Sequence, residues 1–389
     1  MFSRRTPGSL EPNRLTAALA ARRRSGAPVL DLTESNPTRA GLPYPDALLA
    51  PLADASALVY EPTPAGLASA REAVARDYAR RGIDVPPDRI LLTAGSSEAY
   101  AFLFKLLCDA GEGVLVPRPS YPLFELLARL ESLEVASYPL AYDGEWHVAA
   151  SAVERALTSR TRAVVAVSPN NPTGSYLKRD EAEALYELCA REGLALVSDE
   201  VFADYAFRPD PRRLPSVATD GPALAFALGG LSKSCGLPQL KLGWIAVSGP
   251  RALREEALAR LELVADTFLS VGTPVQRALP SLLGRLPELQ GPIAARVSGN
   301  LAWLADSLGP ASKASLLRPE GGWYAVLRVP ATIPEEELAL RLLESRGVLV
   351  HPGYFFDFPD EAFLVLSLLP PPGVFRAGLE AIGAEAGVL

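Results

Sequence analysis

Five short polar motifs each follow an apolar run of the sequence, and their residue types suit chemistry on an amine or a carbonyl group. Only five lysines occur in the 389 residues, so Lys233, which closely follows the apolar run ALAFALGG, is a candidate nucleophile. Asp199 closes a second apolar run, LALVS, which would carry its carboxylate to the end of a buried strand. The five motifs are GSSE (95–98), PSYP (119–122), NNPTG (170–174), DE (199–200) and LSKS (231–234).

The elements that must position these motifs are predicted from the alternation of apolar runs with helical stretches. Runs such as RILLTAG (89–95), TRAVVAV (161–167) and LALVSDE (194–200) are typical of buried strands. This order predicts an α/β fold whose large domain has a mostly parallel sheet of about seven strands flanked by helices, with a smaller α+β domain beside it. We place the large domain at 45–275, and the small domain at 1–44 together with 276–389.

The five motifs should lie together, because the carboxyl ends of parallel strands meet along one edge of a sheet, where ligands bind. The motifs offer a glycine–serine turn at a helix start, an aromatic ring, an amide, a carboxylate and a lysine. This set matches the needs of a phosphorylated pyridine aldehyde. Backbone amides would hold the phosphate, the aromatic ring would stack, the amide and the carboxylate would bind the pyridine, and the amine would meet the aldehyde.

Composition and missing motifs argue against several other classes of protein. The formal net charge of −7 disfavours nucleic acid as a partner, and no apolar run reaches the roughly 18 residues that a membrane span needs. Two histidines and three cysteines give neither metal-site spacing nor a disulfide framework, so we expect no metal and a reducing, cytoplasmic location. The motifs GxGxxG, GxxxxGK[ST], GxSxG and HExxH are also absent from the sequence.

Three longer motifs give the sequence a specific likeness to a known family. They are SPNNPTG (168–174), SDEVF (198–202) and LSKSCGLPQLKLGW (231–244), in the family's order and with similar spacing. The sequence resembles the fold-type I pyridoxal-phosphate enzymes, specifically the class I/II aminotransferases, from about Asp31 to the C-terminus. The resemblance implies that pyridoxal 5'-phosphate serves to transfer an amino group between an amino acid, or a related amine, and a 2-oxo acid.

The resemblance also implies a role for each matching residue. Lys233 would form the Schiff base with the cofactor and move a proton at the substrate, while Asp199 would pair with the protonated pyridine nitrogen. Asn171 would donate to the ring oxygen O3′. Tyr60 would reach the phosphate of a neighbouring subunit, which implies a homodimer with shared active sites. The other expected cofactor contacts are Gly95, Ser96, Ser97, Tyr121, Ser232 and Lys241.

Purely structural roles are alternatives for several of these residues. Asp199 could cap a helix, and Ser96 or Ser97 could be a capping residue alone. The NNPTG motif could be a turn without chemistry, and Tyr121 could pack in the core.

The sequence departs from the family pattern at four positions. Lys241 stands where an arginine usually holds the phosphate, and Gly230 where a serine often contacts it. Phe202 stands where a tyrosine commonly donates to O3′, and the nearby Tyr205 could replace that donor only from a different offset. Val365, in the stretch FLVLS, occupies the place of the arginine that binds the substrate carboxylate.

The missing arginine leaves the binding of the substrate open. Arg39, in the loop ESNPTRAGLPYP, is our candidate for a replacement, with a solvated loop arginine as the alternative. Asn36 of the same loop, together with Trp323 and Tyr354, would line the substrate pocket, although the two aromatic residues could instead belong to the core. A pyridoxal-phosphate lyase or decarboxylase is an alternative to the aminotransferase, and a non-catalytic ligand-binding homologue is a third possibility.

Overall fold

The computed structural model describes residues 2–386 and shows fifteen strands and twelve α-helices in that part of the chain. The strands are β1 Leu30–Asp31, β2 Ile90–Thr93, β3 Gly113–Arg118, β4 Glu134–Pro139, β5 Ala141–Tyr142, β6 Trp146–His147, β7 Thr161–Val167, β8 Ala195–Asp199, β9 Ala225–Gly230, β10 Gly243–Ser248, β11 Ser315–Leu317, β12 Tyr324–Arg328, β13 Val348–Leu349, β14 His351–Pro352 and β15 Phe363–Ser367. The helices are α1 Arg14–Arg24, α2 Ala68–Arg80, α3 Ser96–Leu107, α4 Leu123–Leu130, α5 Ala150–Ala156, α6 Arg179–Glu192, α7 Leu231–Ser234, α8 Arg251–Phe268, α9 Thr273–Leu283, α10 Leu286–Ser307, α11 Glu335–Arg341 and α12 Pro372–Ala386. None of these helices is both long and apolar enough to cross a membrane.

The largest sheet has seven strands in the order β2-β10-β9-β8-β7-β3-β4. The strands β9, β8, β7, β3 and β4 are parallel neighbours. Strand β10 runs antiparallel to both of its neighbours, β9 and β2. Six strands therefore point one way and one the other, which confirms the predicted mostly parallel sheet.

This sheet is covered by helices on both faces, and its strands are accordingly apolar throughout. Every residue of β2, β9 and β10 is buried, as expected for strands with no face in water. Because successive side chains of a strand point to opposite faces, Val165 packs in one cluster with Leu261 of α8. Its neighbour Val164 packs in the other cluster with Leu185 of α6.

A second, antiparallel sheet has the order β11-β12-β15-β14. The N-terminal segment joins this part of the molecule, because β1 pairs with β13 and places Leu30 beside Val348. Helix α1 also packs against α11. These contacts agree with a smaller α+β unit that the N-terminal segment completes. Its exact bounds stay a prediction, since α9 packs against α2 across the proposed division at residue 275.

Each of the five polar motifs begins at or just beyond the carboxyl end of a strand of the large sheet. The strands that precede them are β2, β3, β7, β8 and β9, and all five point in the same direction. The motifs therefore share one edge of the sheet, as the sequence predicts.

Candidate active site

Lys233 lies on α7, a single helical turn that begins directly after β9. Its amine stands 5.0 Å from the ring centre of Trp323 and 5.2 Å from that of Phe202. Burial among these groups disfavours the charged amine and lowers the pKa of Lys233 to about 8. A substantial share of this lysine is therefore neutral near pH 8, which is the form that attacks a carbonyl group.

Asp199 ends β8 and faces the same space as Lys233. Its carboxylate accepts hydrogen bonds from the Tyr100 hydroxyl at 3.1 Å and from the Val201 amide at 3.2 Å. Burial raises the pKa of Asp199 to about 6, while these donors and the Lys233 charge act in the opposite direction. Asp199 caps no helix, because residues 201–204 form turns. A half-buried carboxylate beside a half-buried amine is a pair that a charged ligand would complete.

The start of α3 forms a candidate phosphate site. Gly95, which precedes the helix, has a φ of +147°, a conformation that favours glycine, and no side chain caps the helix at this end. The Lys241 amine lies 3.9 Å from the position that a Cβ on Gly95 would take. The free amides of the first turn, which Ser96 and Ser97 open, therefore adjoin a cation, and helix N-termini of this kind bind anions.

Within residues 2–386, Asn171 brings an amide with an unpaired oxygen to the site. It is 9% exposed, and its Oδ1 is buried without a hydrogen-bond partner among the described residues. Burial raises the pKa of the neighbouring Tyr324 to about 12, while the side chains of Ser35 and Asn171 lower it. The Tyr121 ring, 47% exposed, lies close enough to Tyr324 to influence the same pKa. Asn171 and Tyr121, two expected contacts of the cofactor ring, thus both lie near Tyr324.

The position of the missing arginine is closed and apolar. Val365 of β15 is fully buried, and it pairs with Val326 of β12 on one side and with His351 of β14 on the other. Burial lowers the pKa of His351 to about 4, so its ring is neutral at physiological pH. Arg376 lies over the Trp303 ring at 5.8 Å. No positive charge stands beside Val365 in these contacts.

The loop that carries Arg39 and Asn36 lies beside the Lys233 turn. The Tyr44 hydroxyl donates to the Gly236 carbonyl at 2.7 Å, three residues after Lys233. The Oδ1 of Asn36 accepts from both the backbone and the hydroxyl of Thr38, so this oxygen stabilises the loop. The Arg39 side chain is exposed. Its role as a carboxylate ligand stays a prediction.

The two predicted pocket aromatics have different environments. Trp323 is completely buried, and the Lys233 amine lies over its ring. Tyr354 is 41% exposed and donates to Glu336 at 3.2 Å. It shares a cavity of about 590 Å³ with Tyr121. The structure thus brings Tyr354 close to one expected cofactor contact and Trp323 close to another.

Two further residues, Ser232 and Tyr60, are predicted cofactor contacts, and they differ in exposure. Ser232 is partly buried on α7, next to Lys233. Tyr60 is 67% exposed and lines a small cleft with Leu269 and Gln276. An exposed ring at that place is available to another subunit.

Sequence reasoning missed Tyr100 and assigned no firm role to Tyr205. Tyr100 lies one helical turn after Ser96 on α3, and this spacing was the only available signal that it reaches the site. The Tyr205 hydroxyl donates to the Lys233 carbonyl at 2.7 Å, and the residue is 2% exposed. Tyr205 therefore does not replace the donor that Phe202 lacks, because its hydroxyl is committed to the backbone.

Comparison with known proteins agrees with this geometry. The family model of aminotransferase class I and II matches residues 27–379. The chain is 29% identical to an alanine aminotransferase of Mycobacterium tuberculosis, a match that covers 92% of this chain and 85% of the relative. It is 27% identical to the glutamate-pyruvate aminotransferase AlaA of Escherichia coli, over 88% of this chain and 87% of the relative.

Solved structures show the same fold. An alanine aminotransferase from Pyrococcus furiosus superposes with a TM-score of 0.90 at 22% identity, over 100% of both chains. A mutant aspartate aminotransferase of Thermus thermophilus superposes with a TM-score of 0.85 at 26% identity, over 99% of both chains. The chain thus belongs to the class I and II aminotransferases, and it is an aminotransferase with the type I fold of pyridoxal-phosphate enzymes.

Proposed function

We propose that this aminotransferase moves an amino group between an amino acid, or a related amine, and a 2-oxo acid with pyridoxal phosphate held on Lys233. The observation that carries the proposal is the pairing of a half-buried lysine with a half-buried carboxylate. Burial shifts the pKa of Lys233 down to about 8 and that of Asp199 up to about 6. Each charge therefore lacks full compensation until a ligand bears the complementary groups.

The residues present fit this cofactor at several points. The uncapped start of α3 and the Lys241 amine would hold the phosphate. The Asn171 side-chain N–H would donate to the ring oxygen, and ionised Asp199 would hold a proton on the ring nitrogen. Bound pyridoxal phosphate supplies an electron sink for the negative charge left at the substrate Cα.

Lys233 would also act as the base that moves a proton at the substrate Cα. Its pKa of about 8 lies close to physiological pH, which suits a group that both accepts and returns a proton. The rings of Phe202 and Trp323 flank its amine and exclude water from one side. Tyr205 holds the Lys233 backbone in place through its hydroxyl.

Alanine is the first donor that we propose to test, because relatives at 29% identity are named alanine aminotransferases. Val365 is buried and apolar, so the substrate carboxylate needs a cation from another position. Arg39 is our proposal for that cation, because its loop is fastened beside the Lys233 turn through Tyr44.

A homodimer with shared active sites would cover an exposed apolar surface. Leu58, Val59 and Tyr60 are 89%, 64% and 67% exposed. An ion pair of 3.0 Å between Glu61 and Arg277 fixes this segment against α9. Contiguous exposed apolar residues of this kind mark interfaces between proteins, and Tyr60 would reach the partner's phosphate from there.

We also propose a cytoplasmic location. The three cysteines Cys108, Cys189 and Cys235 are all free thiols. Unpaired cysteines are typical of reducing compartments.

Absorbance spectroscopy of the purified holoenzyme tests the proposed function. Wild-type protein should show the visible band of a lysine-bound cofactor, and alanine or glutamate should convert it to the pyridoxamine form. Lys233→Ala should lose the band, whereas Lys313→Ala, which changes an exposed lysine, should keep it. Release of ammonia with the band retained would instead favour a lyase. A spectrum that no amine changes would favour a ligand-binding homologue.

A further inference from the structure

A cavity of about 440 Å³ lies apart from the residues of the proposed active site. It opens between the segment 207–213, helix α10 and the segment that follows β11. Its volume falls within the range of roughly 300–1,000 Å³ that is usual for small-molecule sites. We call it the Arg208 cavity and define it by Arg208, Arg213, Arg318, Leu301, Ala302 and Leu316.

The two carboxylates of the Arg208 cavity are already neutralised by other residues. Glu320 accepts from Lys178 at 2.7 Å, and both side chains are almost fully buried. Arg213 adds a second cation at 3.6 Å from Glu320. Asp210 is bound by Arg212 at 2.7 Å. Neither carboxylate is therefore left to repel an anion in the cavity.

One cation of the Arg208 cavity, Arg208 itself, remains available for a ligand. Arg208 is exposed and makes no side-chain hydrogen bond or ion pair with the rest of residues 2–386. Arg213 is committed, because its guanidinium donates to the carbonyls of Arg208 at 2.6 Å and Glu320 at 3.4 Å and lies over the Tyr176 ring at 4.4 Å. Counted together with their ion-pair partners, the charged lining residues carry an excess of positive charge. There are five cations, Lys178, Arg208, Arg212, Arg213 and Arg318, and three carboxylates, Glu145, Asp210 and Glu320.

Part of the cavity lining is apolar. Helix α10 contributes Leu301 and Ala302, and the neighbouring strand β11 contributes Leu316. Phe207, directly before Arg208, adds to this apolar lining. The geometry points to a site for a small organic anion with an apolar body, namely a carboxylate on an aromatic or branched carbon skeleton. Arg208 binds the carboxylate, and the apolar lining covers the body.

The Arg208 cavity is connected to Lys233 through hydrogen-bonded backbone. The Phe207 amide donates to the Glu320 carbonyl at 3.0 Å, and the Gly322 amide donates to the Tyr205 carbonyl at 2.9 Å. The Tyr205 hydroxyl in turn donates to the Lys233 carbonyl at 2.7 Å. Through these bonds a bound anion would act on the segment that holds Lys233 and would change turnover without occupying the substrate pocket.

Calorimetric titration of the holoenzyme with 3-phenylpropionate tests the site, because this probe has neither an amino nor a keto group and cannot react. We expect saturable binding by the parent protein. Arg208→Ala and Ala302→Trp should each weaken binding by about tenfold or more, the first by removing charge and the second by filling the cavity. Acetate and 3-phenylpropanol, which lack the body and the charge respectively, should bind at least about tenfold more weakly.

Matched controls separate this site from general effects of charge and size. Arg24→Ala and Ala190→Trp change exposed residues on α1 and α6 and should leave the affinity for the probe unchanged. In assays, the probe should alter kcat in the parent and lose this effect in Ala302→Trp. The inference is overturned if the probe does not bind, if both cavity variants bind it as tightly as the parent, or if it competes purely with the amino donor.

Discussion

The two sides of the candidate active site differ in how they treat charge. On the side of the large sheet, Lys233 and Asp199 are both ionisable groups under burial, and their pKa values shift toward each other. On the side of the small sheet, Val365 stands between Val326 and His351. The His351 ring is neutral, because burial lowers its pKa. One side concentrates reactive polar groups, and the other has replaced a charge with close packing.

This difference separates the chemistry of the site from the recognition of its substrate. The groups that would hold the cofactor stand at strand ends, where the fold fixes them regardless of the substrate. The group that would recognise the substrate carboxylate must come from a loop, and loops change with little effect on the sheet. The contrast predicts large effects from changes on the side of the large sheet and moderate effects from the Arg39 loop.

The largest expected effect concerns the reactivity of Lys233. In cofactor-free protein, capture of pyridoxal phosphate by this lysine should rise with pH through about 8, because its pKa is lowered to that value and only the neutral amine attacks. At pH 8 such a lysine has over about 100-fold more neutral amine than a lysine of ordinary pKa. Borohydride trapping followed by mass spectrometry across pH measures the midpoint, and Lys233→Ala identifies the background. A midpoint near that of an ordinary lysine would contradict the buried setting.

The next largest effect is expected from Asp199→Asn, which removes the charge that pairs with the ring nitrogen. We expect kcat/KM to fall by about 100-fold, because the protonated ring nitrogen would lack its counter-charge in this variant. Steady-state kinetics with alanine and a 2-oxo acid would measure the loss. Asp84→Asn, which changes an exposed carboxylate, is the matched control and should retain activity. Equal activity in both variants would remove Asp199 from the catalytic machinery.

A moderate effect is expected from Arg39→Leu on the other side of the comparison. If Arg39 binds the substrate carboxylate, the KM for the amino donor should rise by about tenfold or more while kcat changes little, because a charge-assisted hydrogen bond is lost. Arg24→Leu, at another exposed arginine, should leave the KM unchanged. An unchanged KM in Arg39→Leu would assign the carboxylate to a different cation.

The sequence predicts the side of the large sheet well because its positions follow from simple geometry. Buried apolar runs mark the strands, and Asp199 and Lys233 come at their ends. Tyr100 could not be predicted, because it lies in an apolar helix and only the packed sheet shows that it reaches Asp199. The commitment of Tyr205 to the Lys233 carbonyl is likewise invisible until residues 28 positions apart are brought together. Side-chain partners across loops need the fold.

The smallest expected effect, from Tyr100→Phe, tests that unforeseen contact. The Tyr100 hydroxyl donates to Asp199 and favours its ionised form, so removing it should raise the pKa of Asp199 further above the present value of about 6. Because only the ionised carboxylate pairs with the ring nitrogen, the affinity of cofactor-free protein for pyridoxal phosphate should begin to fall at a higher pH. One such hydrogen bond is worth about 1 kcal/mol, which gives up to roughly fivefold weaker binding on the acid side of about pH 6 and little change near neutral pH.

Fluorescence titration with pyridoxal phosphate, from about pH 5.5 to about pH 8.5, measures the pH dependence of the affinity in the variant and the parent. This range includes the Asp199 pKa of about 6. Tyr186→Phe is the matched control, because it removes another tyrosine hydroxyl, one that donates to the Val217 carbonyl at 3.2 Å. A loss of affinity that is equal at every pH would mean that Tyr100 supports packing alone. A loss confined to the acid side would show that the ionisation of Asp199 depends on Tyr100. The sequence predicts the place of Asp199 in the site, but it does not predict this neighbour.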